Sequence, residues 1–322
     1  MMDYGTFKAM TKKHFLEYMP GAFKDCEVRI IQVEKVNQTL NGLSLVPAES
    51  GSCGSSPVIY MNNMYRLYQE RGNLEDVLAG MAREMVRAYV RMPSCLDRSV
   101  MEKLIDRENV ILQLVNTEKN QDLLKTCPSR PFLDLTIIYK VMLYKGEGTA
   151  VGVRVTHQLA KDLGMDEEAL YQAAFQNTRK QFPTVVMTLE EILGDLYKME
   201  GTAPPALKQK KIPMYVFTND IRIGGAVALL YKDKLDELAR KLGADLYILP
   251  SSLHEVIAVP VYEGTLEHLE QMVFDVNRSV VEPEDWLSDR VYRYNREEQT
   301  VTVAKEKPSV PDRGLGLAVC GA

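Results

Sequence analysis

The alternation of apolar and polar positions predicts elements along almost the whole chain. Phe7, Met10, Phe15 and Tyr18 recur at helical spacing. Next, EVRIIQVEKVN and GLSLV alternate as strands around Asn41-Gly42, a dipeptide favoured in two-residue hairpin turns, so a first hairpin is expected from about Val28. Leu74 to Val90 places apolar residues at i, i+3, i+4 and i+7 behind Asn73, which predicts a helix capped by that asparagine. In LDLTIIYKVMLY, residues 133–144, Leu133, Leu135, Ile137, Tyr139, Val141 and Leu143 share one face, the pattern of a half-buried strand. KGEG turns that strand into TAVGVRVT, and two helices, 157–163 and 167–178, join through Gly164. LEEILGDLYKM reads as a further helix.

The Pro- and Lys-rich segment 200–213 reads as a connector. Beyond it, MYVFT, AVALLY and the helix KDKLDELARKLG are followed by LYIL, HEVIAVPV and the helix TLEHLEQMVFDVN, which predicts two hairpin–helix units in tandem over 214–282. A strand–helix–strand crossover would make AVALLY parallel to LYIL. DRVYRYNREEQTVTVA predicts a last hairpin, and 305–322 reads as a tail. The expected organisation is an N-terminal region 1–199, the tandem region 214–282, a terminal hairpin 283–304 and the tail. The fold class is α+β, with antiparallel or mixed sheets and helices on their faces.

Composition narrows the class. A 322-residue chain with 46% hydrophobic and 26% charged residues is that of an ordinary folded protein of one large or two packed domains. A net charge of −5, with lysines and arginines dispersed, disfavours nucleic-acid binding. Five cysteines without a C-x-x-C suit reduced thiols and a cytoplasmic setting. No apolar run approaches bilayer-spanning length, so no membrane association is expected.

LPSSLHEV, residues 249–256, is the densest group of candidate chemistry. Ser251 and Ser252 with His254 and Glu255 suggest nucleophilic catalysis, an anion site, or a hairpin turn whose hydroxyls satisfy the backbone. A strand starting at His254 would put Glu255 on the opposite face. It would also separate Ser252 from His254 by roughly 6.6 Å at Cα, too far for a Ser–His pair without a tight turn. The turn reading leads. On the expected crossover, the turn lies beside Lys232 at a helix N-terminus, where Ser251, Ser252, His254 and Lys232 would hold a phosphate or carboxylate. The Asn219-Asp220 turn would then fall at the opposite sheet edge.

Other motifs fail at informative positions. His254-Glu255 begins H-E-x-x-H, but Ala258 stands where the second histidine belongs, so no metal is expected. Cys53 in GSCGSS has Ser50 and Gly54 where a cysteine-protease segment has cysteine and an aromatic residue. Gly146, Gly148 and Gly152 lack the spacing and the following helix of a dinucleotide fingerprint, and no cofactor is expected. Met64, Tyr65 and Tyr68 at helical spacing read as core.

The stretch 224–260 resembles a family of unknown function from gut-dwelling Firmicutes, carried by Gly225-Ala226, the Leu235, Leu238 and Leu242 stripe, and Leu249 to Glu255. The resemblance implies a bacterial cytosolic setting. The functional expectation is a non-enzymatic protein that binds a macromolecule or a small ligand, with sheet edges open to a protein partner or a second copy. The alternative is a hydrolase or transferase acting on an anionic small molecule at the PSSLHE turn through Ser252 or His254.

Overall fold

A computed structural model describes residues 1–47, 56–91, 103–146, 148–199, 213–262 and 264–305. Cys53 with most of its small-residue loop, the connector up to 212 and the tail from 306 lie outside the described residues. The fold is α+β, and every strand pairing among the described residues is antiparallel.

The first sheet is β1 (Cys26–Lys35), β2 (Gln38–Pro47) and β3 (Val58–Tyr60), in that order. Helices α1 (Tyr4–His14), α2 (Met61–Arg71) and α3 (Leu74–Arg91) join it around a core that includes Phe7, Phe15, Leu43, Leu45, Met61 and Met81. Tyr68 is buried in this core, with Met64 and Tyr65 packed against it. Asn73 caps α3 as its position predicts, its side-chain oxygen accepting the N–H groups of Glu75 (3.0 Å) and Asp76 (3.4 Å).

The hairpin turn does not fall at Asn41-Gly42. Those residues lie within β2, opposite Gln32 and Ile31, and the chain reverses at Val36-Asn37. Asn37 takes φ +64°, a region in which asparagine is one of the few tolerated L-residues. Gly42 serves close packing instead, because a Cβ there would meet Val58 Cγ1 at 2.3 Å. Tertiary contacts favour the turn's actual position. The Asn37 amide donates to the carbonyls of Pro283 (3.1 Å), Glu284 (3.2 Å) and Trp286 (2.6 Å), and its backbone N–H donates to Asn120 Oδ1 (2.8 Å).

The second sheet centres on β6 (Leu135–Gly146). On one side lies β4 (Val110–Asn116); on the other, β5 (Ser129–Phe132) and β7 (Thr149–Arg154) follow one another along it. The strand expected to be half-buried is covered on both faces, and Leu133 stands outside it, exposed in a turn at φ +56°. The short helix α4 (Gln121–Leu124) precedes β5; α5 (His157–Asp162) and α6 (Glu167–Gln181) follow β7 and join through Gly164 at φ +63°. From α6, Thr178 Oγ1 accepts the Leu112 N–H at 2.9 Å and pins the helix to β4.

The third sheet contains β8 (Thr184–Thr188), β9 (Tyr215–Asn219), β10 (Leu246–Leu249), β11 (Val256–Pro260), β12 (Tyr292–Asn295) and β13 (Thr300–Val303), in the order β13-β12-β10-β11-β9-β8. Its helices are α7 (Leu189–Met199), α8 (Lys232–Leu242) and α9 (Leu266–Ser279). AVALLY is not a strand. Residues Gly225–Leu230 form a buried 3₁₀ helix, so the first tandem unit is not a hairpin and the parallel crossover to LYIL does not form. Both sides of β9 are already occupied, by β8 and β11, which leaves no ladder for a further strand. A six-residue apolar run also carries no period that separates strand from buried helix. The second unit, β10–β11 followed by α9, and the terminal β12–β13 hairpin form as predicted.

The second and third sheets share one core, with Tyr139, Phe217, Leu246, Tyr292 and Tyr294 among its large side chains. The first sheet keeps a separate core, so its docking leaves a junction.

Candidate functional site

The junction encloses a cavity of about 310 Å³, at the lower end of the range for small-molecule sites. Its floor is the outer face of the second sheet. Strand alternation sets Ile111 and Gln113 of β4, Lys140 and Met142 of β6, and Ala150 and Gly152 of β7 on that face, and all six line the cavity. Lys35, Val36 and Leu40 from the first hairpin form one wall, and Asn219, Gly224 and His254 from the third sheet form another. Glu284 and Asp285 also line the cavity.

Lys140 is the least compensated group. Desolvation pushes its ammonium down to about 8, and the nearby cations Lys35 and Arg154 push in the same direction. Among the described residues, neither Lys35 nor Lys140 has a carboxylate within ion-pair distance, whereas Arg154 reaches Glu34 at 3.3 Å. Lys35 lies over the Tyr60 ring, 5.1 Å from its centroid. Beside this cationic wall, the Gln113 Oε1 acceptor is buried without a hydrogen-bond partner among the described residues. The two carboxylates that line the cavity are engaged: Glu284 accepts from Gln38 at 2.7 Å, and Asp285 lies 3.1 Å from His254 Nε2. Ile111, Met142 and Phe182 supply an apolar patch.

The PSSLHE turn is stitched to the segment before β12. Pro250 and Ser251 carbonyls accept the N–H groups of Ser288 (2.9 Å) and Leu287 (3.0 Å), and the Leu253 N–H donates to the Asp285 carbonyl (2.7 Å). Ser252 is buried, bridges to Trp286, and its Oγ accepts the His254 backbone N–H at 3.0 Å. The Gly224 N–H donates to His254 Nδ1 at 3.1 Å, which fixes the remaining ring proton on Nε2, facing Asp285. The imidazole therefore bonds to Gly224 and Asp285 rather than to the serine hydroxyl. Of the residues singled out at this turn, His254 lines the cavity; Ser251, Ser252 and Glu255 do not.

Lys232 is exposed at the start of α8, beyond the 3₁₀ helix. It is the beginning of that helix that meets the turn, through the Ala226 N–H to the Leu253 carbonyl at 3.1 Å. At about 2 Å of rise per residue, Lys232 lies roughly 12 Å further along. The Asn219 turn, expected at the opposite edge from the PSSL turn, instead shares the cavity with His254. Antiparallel pairing of Val256 with Phe217 brings the end of β9 beside the start of β11.

Sequence spacing did not single out Lys35, Gln113, Lys140 or Asp285. The available signal was Lys140, the one charge within LTIIYKVMLY. No three His, Cys, Asp or Glu converge as a metal site among the described residues, and no helix among them is long and apolar enough to cross a membrane. Cys127 is free and buried, and desolvation pushes its thiol up.

No curated protein and no solved structure matches the chain. A family model matches residues 4–296, nearly the whole length, and the chain belongs to that family of unknown function, DUF5688.

Proposed function

We propose that this protein is a non-enzymatic binder of a small organic anion, held in the junction cavity with its charge on Lys35 and Lys140 and its carbon skeleton against Ile111, Met142 and Phe182. The observation that carries the reading is half-buried Lys140 beside exposed Lys35, both lining the cavity and neither with a carboxylate within ion-pair distance among the described residues. An entering anion offsets their repulsion and favours the charged form of Lys140. The anion expected at the PSSL turn is thus reassigned to the sheet face that the turn helps to enclose.

Ser252 and His254 support binding over hydrolysis, because their hydrogen-bonding atoms serve the turn itself. The setting we infer is a bacterial cytoplasm, supported by the dispersed cysteines and the resemblance over 224–260. Trp286, the single tryptophan, follows Asp285, which lines the cavity, and serves as the fluorescence probe. Titration with lactate, acetate and inorganic phosphate should change its fluorescence saturably for at least one of them, with affinity at least tenfold weaker in Lys140→Met. Absence of saturation by every anion tested rejects the reading.

A further inference from the structure

We propose that Lys140 captures its ligand covalently: it condenses with the carbonyl of a small oxo anion, such as a 2-oxo acid or an aldehyde phosphate, while Lys35 holds the anionic group. This rests on the anion-binding reading and names the ligand class of the same site.

Three features of the cavity floor support it. Lys140 is half-buried in mid-strand and lines the cavity, where a ligand can reach it. The charges that act on it are the cations Lys35 and Arg154, the kind of neighbour that activates an amine toward carbonyl carbon. Gln113 lies on the same face, one diagonal step across the β4–β6 pair, as the register of Ile111 with Lys140 and Gln113 with Ile138 requires. Its unpartnered Oε1 is placed to accept the hydroxyl of a carbinolamine or the N–H of a protonated imine. Below both pKa values, an amine near 8 has on the order of a hundredfold more neutral form than an exposed lysine at 10.5.

The chemistry balances without an oxidant or reductant. The neutral Nζ attacks the carbonyl carbon, forming a C–N bond and a carbinolamine after proton transfer to the oxygen. Loss of that hydroxyl with a proton as water breaks the C–O bond and leaves the imine; hydrolysis reverses the sequence and releases the ligand.

The test incubates the full-length protein with pyruvate or, separately, glycolaldehyde phosphate, with cyanoborohydride at pH 7.5, and maps the reduced adducts by peptide mass. Lys140 should be labelled at least tenfold faster than exposed Lys232, lactate should protect it, and Lys35→Gln should slow labelling severalfold. The faster of the two reagents identifies the preferred anionic group. Wild-type mapping carries the decision, with Lys140→Arg as a control that should lose the adduct. Equal labelling of Lys140 and Lys232, or none at Lys140, overturns the proposal. If lactate still binds in that case, the imine alone falls; if no anion binds either, the binding reading falls with it.

Discussion

The PSSLHE turn and the cavity floor around Lys140 make opposite use of polar residues. The turn concentrates hydroxyls, an imidazole and a carboxylate in a few positions, and its key polar atoms bind neighbouring backbone or Asp285. The floor has few polar groups, but among the described residues Lys140 has no counter-ion and Gln113 Oε1 no donor. Polar density in a sequence is therefore a poor guide to binding capacity. What matters is the hydrogen-bonding and charge left unsatisfied where the fold excludes water.

The contrast predicts that damage to the turn lowers stability and leaves the site's chemistry intact, while changes at the floor do the reverse. The largest effect should come from Gly225→Ala. A Cβ there would lie 2.5 Å from Thr218 Oγ1 and 2.6 Å from the His254 carbonyl, so the turn and the 3₁₀ helix must separate. Chemical denaturation should show a loss of about 3 kcal/mol. An unchanged midpoint would show that the turn is not held as described.

Lys140→Met should act in the opposite direction, raising stability at pH 7 by on the order of 2 kcal/mol while removing anion affinity. The pH dependence has a definite sign. Below pH 8, Lys140 is protonated in both folded and unfolded chains, and the folded state carries the full penalty. Between about 8 and 10 the unfolded chain holds more protons, so wild-type stability should rise with pH. Lys140→Met should lose most of that rise. Above pH 10 stability should fall in both proteins, because burial holds the Tyr139, Tyr231 and Tyr292 hydroxyls well above the usual range. Parallel melting profiles from pH 8 to 10 would contradict the assignment.

The smallest effect is expected from Ser252→Ala. It strips the acceptor from the His254 N–H, at a cost of about 1 kcal/mol, with anion affinity unchanged within twofold. A selective loss of affinity would shift the functional centre back toward the turn.

Much of the fold was legible because it is local. The apolar stripe of α3 and its Asn73 cap, the β6–β7 hairpin and the terminal β12–β13 hairpin rest on neighbours in sequence. Where distant contacts decide, local signals mislead. Asn37 takes the turn from Asn41-Gly42 because its amide meets carbonyls near residue 285, and AVALLY becomes a 3₁₀ helix because the ladders beside β9 are already filled. The site is non-local as well, drawing on residues from Lys35 to Asp285. Lys140 stands out in an apolar strand, but its environment exists only once the first hairpin closes over that face.

At pH 8, where Lys140 is partly deprotonated, a bound anion should restore its charge. Calorimetric titration with a saturating non-carbonyl anion at pH 8, repeated in buffers of different ionisation enthalpy, measures that proton directly. Uptake approaching half a proton per anion bound is expected for the wild type, with no such uptake at this site in Lys140→Met. Binding with no proton uptake, or with the same uptake in both proteins, would contradict it.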